Sequence, residues 1–178
     1  MGGYGYTDLA LNASFTKRLP YVTVGISADA NRFKEIWYKQ AGAEITAYPF
    51  GNINTYLKAG GTWIFDRLNP ATRFVARGVA GAKLIRSWWL EAEYSFGDIR
   101  NLSEKNAYVV FDNFDPITKR LGINLMGYRL LPHLDISFRY QYSQRTATWQ
   151  IFENSQYIRD EQQNYPVHSF ITGITWRF

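Results

Sequence analysis

Two acids two residues apart, Glu91 and Glu93, and the neighbouring pair His168-Ser169 are the groups whose types and spacing suggest chemistry. On a strand, Glu91 and Glu93 share a face with their carboxyls about 7 Å apart, a separation suited to paired acid and base work. The competing account is salt bridging, because Arg77 and Lys83 lie a hairpin's length upstream. His168 and Ser169 cannot share a proton, since adjacent strand residues point to opposite faces. The other histidine, His133, falls in the turn-forming stretch Leu130-Leu131-Pro132-His133. Asp112-Asn113-Phe114-Asp115 offers oxygen ligands without the spacing of a calcium loop. The glycines near Met1 precede no strand-turn-helix, so they are not a phosphate loop. With no Cys in the chain, disulfides and thiolate metal sites are excluded. We expect no catalytic residue, no cofactor and no metal ion.

The elements that carry these side chains are read from a period of two. Nine segments, 9–15, 22–28, 41–47, 57–65, 74–84, 88–96, 121–125, 134–142 and 170–178, set apolar residues on one parity and small or polar residues on the other. That is the pattern of half-buried strands, and helical spacing fits none of them. The chain of 178 residues is 17% aromatic, yet its mean hydropathy is −0.31. No run of about 18 apolar residues occurs, which excludes a helical membrane protein. Aromatic-rich strands that look polar on average suit an antiparallel, up-and-down transmembrane β-barrel of about nine strands. We read residues 1–178 as one such domain. The formal charge of +5 adds a modest basic excess, suited to a solvated rim or to lipid phosphates.

Turn signals divide the segments. Tight turns are expected at 18–20, 49–52, 85–87 and 130–133, and longer polar connections at 30–36, 66–73, 97–119 and 144–165. Short turns on one side and long loops on the other is a barrel habit. The stretch 107–111 is expected to add a strand to an external hairpin.

The polar parity is too charged for a dry sandwich core, because an unpaired buried charge costs several kcal/mol. Facing a wet lumen, Glu44, Lys58, Arg77, Lys83, Glu91, Glu93, Arg120, Asp135 and Arg139 would form a charge network. Hairpin arithmetic predicts pairs of Glu44 with Lys58, Lys83 with Glu91, and Arg77 with Glu93, worth about 0.2–1 kcal/mol each. The outward aromatics, Trp63, Phe65, Tyr94, Phe96, Tyr140 and Tyr142 among them, would form interfacial girdles. Because these rings lie on the lipid parity, nucleic-acid binding is not expected. Arg32, Lys34, Arg67 and Arg73, in or beside the long connections, are candidate contacts for lipopolysaccharide phosphates.

The final residues carry a resemblance. Gly173, Trp176 and Phe178 are spaced as in the C-terminal signal of Gram-negative outer-membrane β-barrel proteins, with Ile171 departing from the polar residue usual there. The resemblance implies an outer-membrane location, contact with lipid and lipopolysaccharide, and recognition by the barrel-insertion machinery. The start, Met1 to Tyr6, lacks the charged and apolar regions of an export signal. Nine strands is also an odd count for a bacterial barrel. Both features predict a mature form, or the C-terminal part of a larger barrel with strands upstream. The function expected is structural: a scaffold presenting loops 97–119 and 144–165 to other envelope proteins. The alternatives are a passive channel for small solutes and a lipid-modifying enzyme using His168, Ser169, Glu91 or Glu93.

Overall fold

In the computed structural model the nine alternating segments become nine antiparallel strands of one sheet. The structure describes residues 9–33, 36–66, 72–100, 102–104, 109–110, 115–153 and 156–176. The strands are β1 (Leu9–Arg18), β2 (Val22–Phe33), β3 (Ile36–Ala47), β4 (Thr55–Asp66), β5 (Arg73–Ile85), β6 (Trp88–Gly97), β7 (Ser103–Glu104), β8 (Val109–Val110), β9 (Ile117–Leu131), β10 (Leu134–Glu153) and β11 (Gln156–Trp176). The sheet runs β1-β2-β3-β4-β5-β6-β9-β10-β11, each strand beside its predecessor, and β7-β8 form a separate two-stranded ribbon. The chain is therefore all-β and up-and-down. Among the described residues β1 and β11 do not pair with each other, so the sheet has two edges.

Register keeps the two parities apart. Ile26 lies opposite Phe15 and Ala43, while Asp29 lies opposite Asn12 and Gln40. The burial that results is inverted relative to a soluble domain. Large apolar side chains stand exposed, Phe15 at 66%, Trp63 at 45% and Phe170 at 79%. Polar ones are enclosed, with Asn31 and Ser95 at 0% and Arg120 at 1%.

The connections differ from expectation in two ways. Strands β2 and β3 leave only 34–35 between them, and β10 and β11 only 154–155. Most of 144–165 is thus strand rather than loop: Gln144 faces Pro166 and Gln150 faces Asp160 in an unbroken ladder. The polar composition that reads as a loop is instead a ribbon whose two faces are both wetted. β10 and β11 are 20 and 21 residues long, about twice what a membrane crossing requires.

The second difference is 97–119. β8 falls within the stretch expected to add a strand, but its ribbon does not stand outside. The chain turns inward at Gly97, whose φ of +123° only glycine adopts easily, and a Cβ there would collide with the Phe74 carbonyl. Ile99 and Leu102 then pack against Ile64, Val75 and Ile117 as a small apolar cluster on the concave side. Ser103 follows, its N–H donating to Gln40 Oε1 at 3.1 Å. Burying two aliphatic side chains outweighs leaving a short polar loop in water.

Candidate functional site: the inner charge cluster

The polar parities of β5, β9 and β10 converge on Glu93 of β6. Arg77 Nη2 donates to its Oε2 at 2.8 Å, and Arg139 Nη2 to its Oε1 at 3.1 Å. Arg120 Nη2 lies 3.6 Å from that same oxygen. Gly122 makes the space, because a Cβ there would sit 2.8 Å from Glu93 Cγ. Arg120 also donates to Glu104 Oε1 at 2.7 Å, which ties the inward ribbon to the wall.

The ion pairs follow one geometric rule. Glu44 faces Gly60 but holds Lys58, two residues earlier, at 3.2 Å. Glu93 faces Val79 and Gly122 but contacts Arg77 and Arg120, again two residues earlier. Strand twist closes one diagonal of a cross-strand pair and opens the other. Lys83 lies on the opening diagonal from Glu91, which faces Gly81. The structure accordingly brings Arg77 to Glu93 and Lys58 to Glu44, but not Lys83 to Glu91. Glu91 accepts instead from the Tyr56 hydroxyl. Tyr56 reaches it across Gly81, where any Cβ would strike the phenol ring, and its ring stacks on Trp89 at 6.0 Å.

The remaining candidates lie apart from this cluster. Asp135 accepts from the Arg129 backbone N–H at 2.7 Å and so braces the β9–β10 turn. Arg73 points inward, its Nη1 donating to the Arg100 carbonyl at 2.9 Å and lying 3.5 Å from Asp98. Its parity is the inward one, unlike that of Arg32. Arg32 is on the outward parity, opposite Leu9 and Trp37. Lys34, Arg67 and Phe178 lie outside the described residues. Gly173 faces Ser137 on the inward parity, whereas Trp176 is exposed outside, 6.1 Å from His133. His168 is outward, its Nδ1 within hydrogen-bond distance of the Tyr140 hydroxyl at 3.0 Å, while Ser169 is on the opposite face opposite Gln141.

Asp98, at the root of the inward loop, is held by Arg100 at 2.6 Å. Burial pushes its carboxyl pKa up, but the hydrogen bonds and charge of Arg100, with Arg73 beyond, outweigh that and hold it below the usual carboxylate range.

Beside the cluster is a cavity of about 350 Å³ between the β1–β5 wall and the ribbon, lined by Asn12, Ser27, Asp29, Thr62, Arg77 and Glu104 among others. Its acids and bases are largely satisfied locally, Asp29 by the Asn12 amide at 2.7 Å. Among the described residues no three His, Asp or Glu side chains converge as metal ligands. An anionic carboxylate gripped by three guanidinium groups is a counter-ion rather than a proton carrier. The chemistry these contacts offer is cohesion between β5, β6, β9, β10 and the inward ribbon. Glu104 could not be assigned this role from sequence, because nothing in its neighbours shows that the loop turns inward. Compared with known protein families, curated proteins and solved structures, the chain matches none.

Proposed function

We propose that this protein is a transmembrane β-barrel, or part of one, in the outer membrane of a Gram-negative bacterium, and that its role is structural. The observation that carries this reading is the inversion of burial, aromatic and aliphatic side chains outside and charged ones inside. Each large apolar side chain left in water forgoes about 1.5–3 kcal/mol. An entire face of them needs hydrocarbon around it. The apolar band on β10 runs from Leu134 to Tyr142 before Gln144 and Thr146 follow, which matches a barrel's band of about 25 Å. The Arg77–Glu93–Arg120–Glu104 cluster and the inward ribbon occupy the lumen, which favours a scaffold over an open channel. Gly173, Trp176 and Phe178 would serve recognition by the insertion machinery. The β10–β11 ribbon, reaching beyond the apolar band, would meet other envelope proteins, with 97–119 contributing only what does not turn inward.

The test is folding with and without a bilayer. The purified chain is expected to fold in lipid vesicles or detergent micelles, with strand circular dichroism and a heat-modifiable gel mobility, and to aggregate in plain buffer. A monomer that folds in buffer, with Trp63 and Phe138 protected from aqueous quenchers, would refute the proposal. Single-channel recording of the vesicle-inserted protein separates scaffold from pore: steady conductance would favour the channel.

A further inference from the structure

Charge is sorted by face as well as polarity. The inward parity mixes acids and bases. The outward strand positions of the apolar band and its first flanking rungs carry cations, Lys17, Arg32, Lys39 and Lys119, and among the described residues no carboxylate. The first outward acid, Asp160, is far along the β11 ribbon.

Three of these cations sit at one end, the end away from the short turns, and each has an aromatic as its direct cross-strand partner. Arg32 faces Trp37, Lys39 faces Phe65, and Lys119 faces Phe96. Lys39 and Lys119 are exposed and Arg32 is half-buried. Such pairs let the aliphatic stem lie along the ring while the charged head reaches past the apolar band. Rings of this kind belong at the level where hydrocarbon meets headgroups. Arg32 and Lys39 are also diagonal neighbours across β2 and β3, about 7–8 Å apart at the backbone. Two heads at that spacing can close on one phosphate. Below them the band is apolar, with Ala28 and Ala41 facing each other, and among the described residues no carboxylate on this face competes for the charge.

We propose that Arg32, Lys39 and Lys119 form a binding rim for the phosphate groups of anionic membrane lipid, in the leaflet at the end opposite the short turns. The inference rests on the transmembrane reading and adds to it the class of lipid that this end requires. Lys39 and Lys119, neither of them in a loop, are members of the rim, and Arg73 is not.

The experiment compares vesicles of phosphatidylcholine alone with vesicles containing phosphatidylglycerol, using the full chain and the triple variant Arg32→Gln, Lys39→Gln, Lys119→Gln. The readout is the urea midpoint of the inserted protein and its partition between the two vesicle types. For the unaltered chain, anionic vesicles are expected to raise the midpoint and to be preferred by about fivefold per cation at low salt. The preference should shrink with salt, as screened charges require, and persist with inorganic phosphate present at matched ionic strength. The triple variant should insert into both vesicles and lose the preference. Insertion of both proteins with an unchanged preference overturns this inference alone, as does loss of the preference to inorganic phosphate. Failure of the unaltered chain to insert into either vesicle overturns the transmembrane reading and this inference with it.

Discussion

Replacing Glu93 by Gln keeps the shape of the side chain and removes the one charge that three arginines share. The contacts are 2.8 Å to Arg77, 3.1 Å to Arg139 and 3.6 Å to Arg120. At an effective dielectric of about 20, an ion pair near 4 Å is worth about 4 kcal/mol before desolvation, and most of that gross attraction is cancelled by the cost of leaving water. The three partners do not count equally. Arg120 is 1% exposed and Glu93 8%, so that pair is screened least, whereas Arg139 at 34% is close to a surface partner worth about 0–1 kcal/mol. After the substitution Arg120 keeps Glu104, at 2.7 Å, but Arg77 loses its close carboxylate and the guanidinium groups repel across the gap. Breaking a buried pair from one side costs about 3–5 kcal/mol. The polar, open cavity beside the cluster places Glu93→Gln at the low end, about 3 kcal/mol, and Arg139→Gln at about 1 kcal/mol. Urea unfolding of the vesicle-inserted protein, followed by tryptophan fluorescence, measures both. A Glu93→Gln variant within about 0.5 kcal/mol of the parent would mean that the arginines are hydrated independently, and the argument that this cluster holds the wall together would fail.

Three further outcomes follow from the same geometry. Lys58→Gln should cost no more than about 0.5 kcal/mol in the same assay, because the Lys58 and Glu44 side chains are 32% and 47% exposed; a loss near 2 kcal/mol would show a far drier inward face. Gly97→Ala should release the inward loop, since φ is +123° and the Phe74 carbonyl blocks a Cβ, with a cost of about 1–3 kcal/mol. Faster proteolysis within 98–116 while the sheet stays folded is the expected signature. The contribution of Asp98 depends on pH with a definite sign. Its folded carboxyl pKa is held below the ordinary value by Arg100, so the stabilisation is complete above that ordinary value and is lost as pH falls through the lowered one. Amide exchange at Arg100 and Leu102, corrected for its intrinsic pH dependence, should be constant near neutrality and accelerate in strong acid, and Asp98→Asn should abolish that acid limb.

How much of this was legible in the sequence depends on the range over which each feature is determined. The nine strands and their two faces are local: a period of two decides them, and the structure places Ile26, Trp63 and Phe138 outside as their parity requires. Pairs within one hairpin are nearly local. Glu44–Lys58 and Arg77–Glu93 could be placed from turn positions alone. Lys83–Glu91 could not be separated from them by counting, because counting treats the two diagonals of a rung alike and only the twist of the sheet distinguishes them. Tyr56 reaches Glu91 over the missing side chain of Gly81, across an intervening strand, and no pairwise rule foresees a contact that skips a strand. The inward loop is harder still. Its course depends on a backbone angle at Gly97 and on Ile99 and Leu102 finding Ile64, Val75 and Ile117, whereas its polar composition reads as an external loop. The same composition in 144–165 accompanies a paired ribbon, because polar side chains such as Thr148 and Gln162 can meet water while the strand backbones beneath them pair with each other. Polarity reports what a side chain meets, and it is silent on whether the backbone beneath is paired. A charge cluster on the inward face of such a sheet therefore reveals its members through parity and its partners only through the three-dimensional twist. That is why Glu104, which bonds the most enclosed arginine of the wall at 2.7 Å, escapes a reading that places every other acid of the cluster on the correct face.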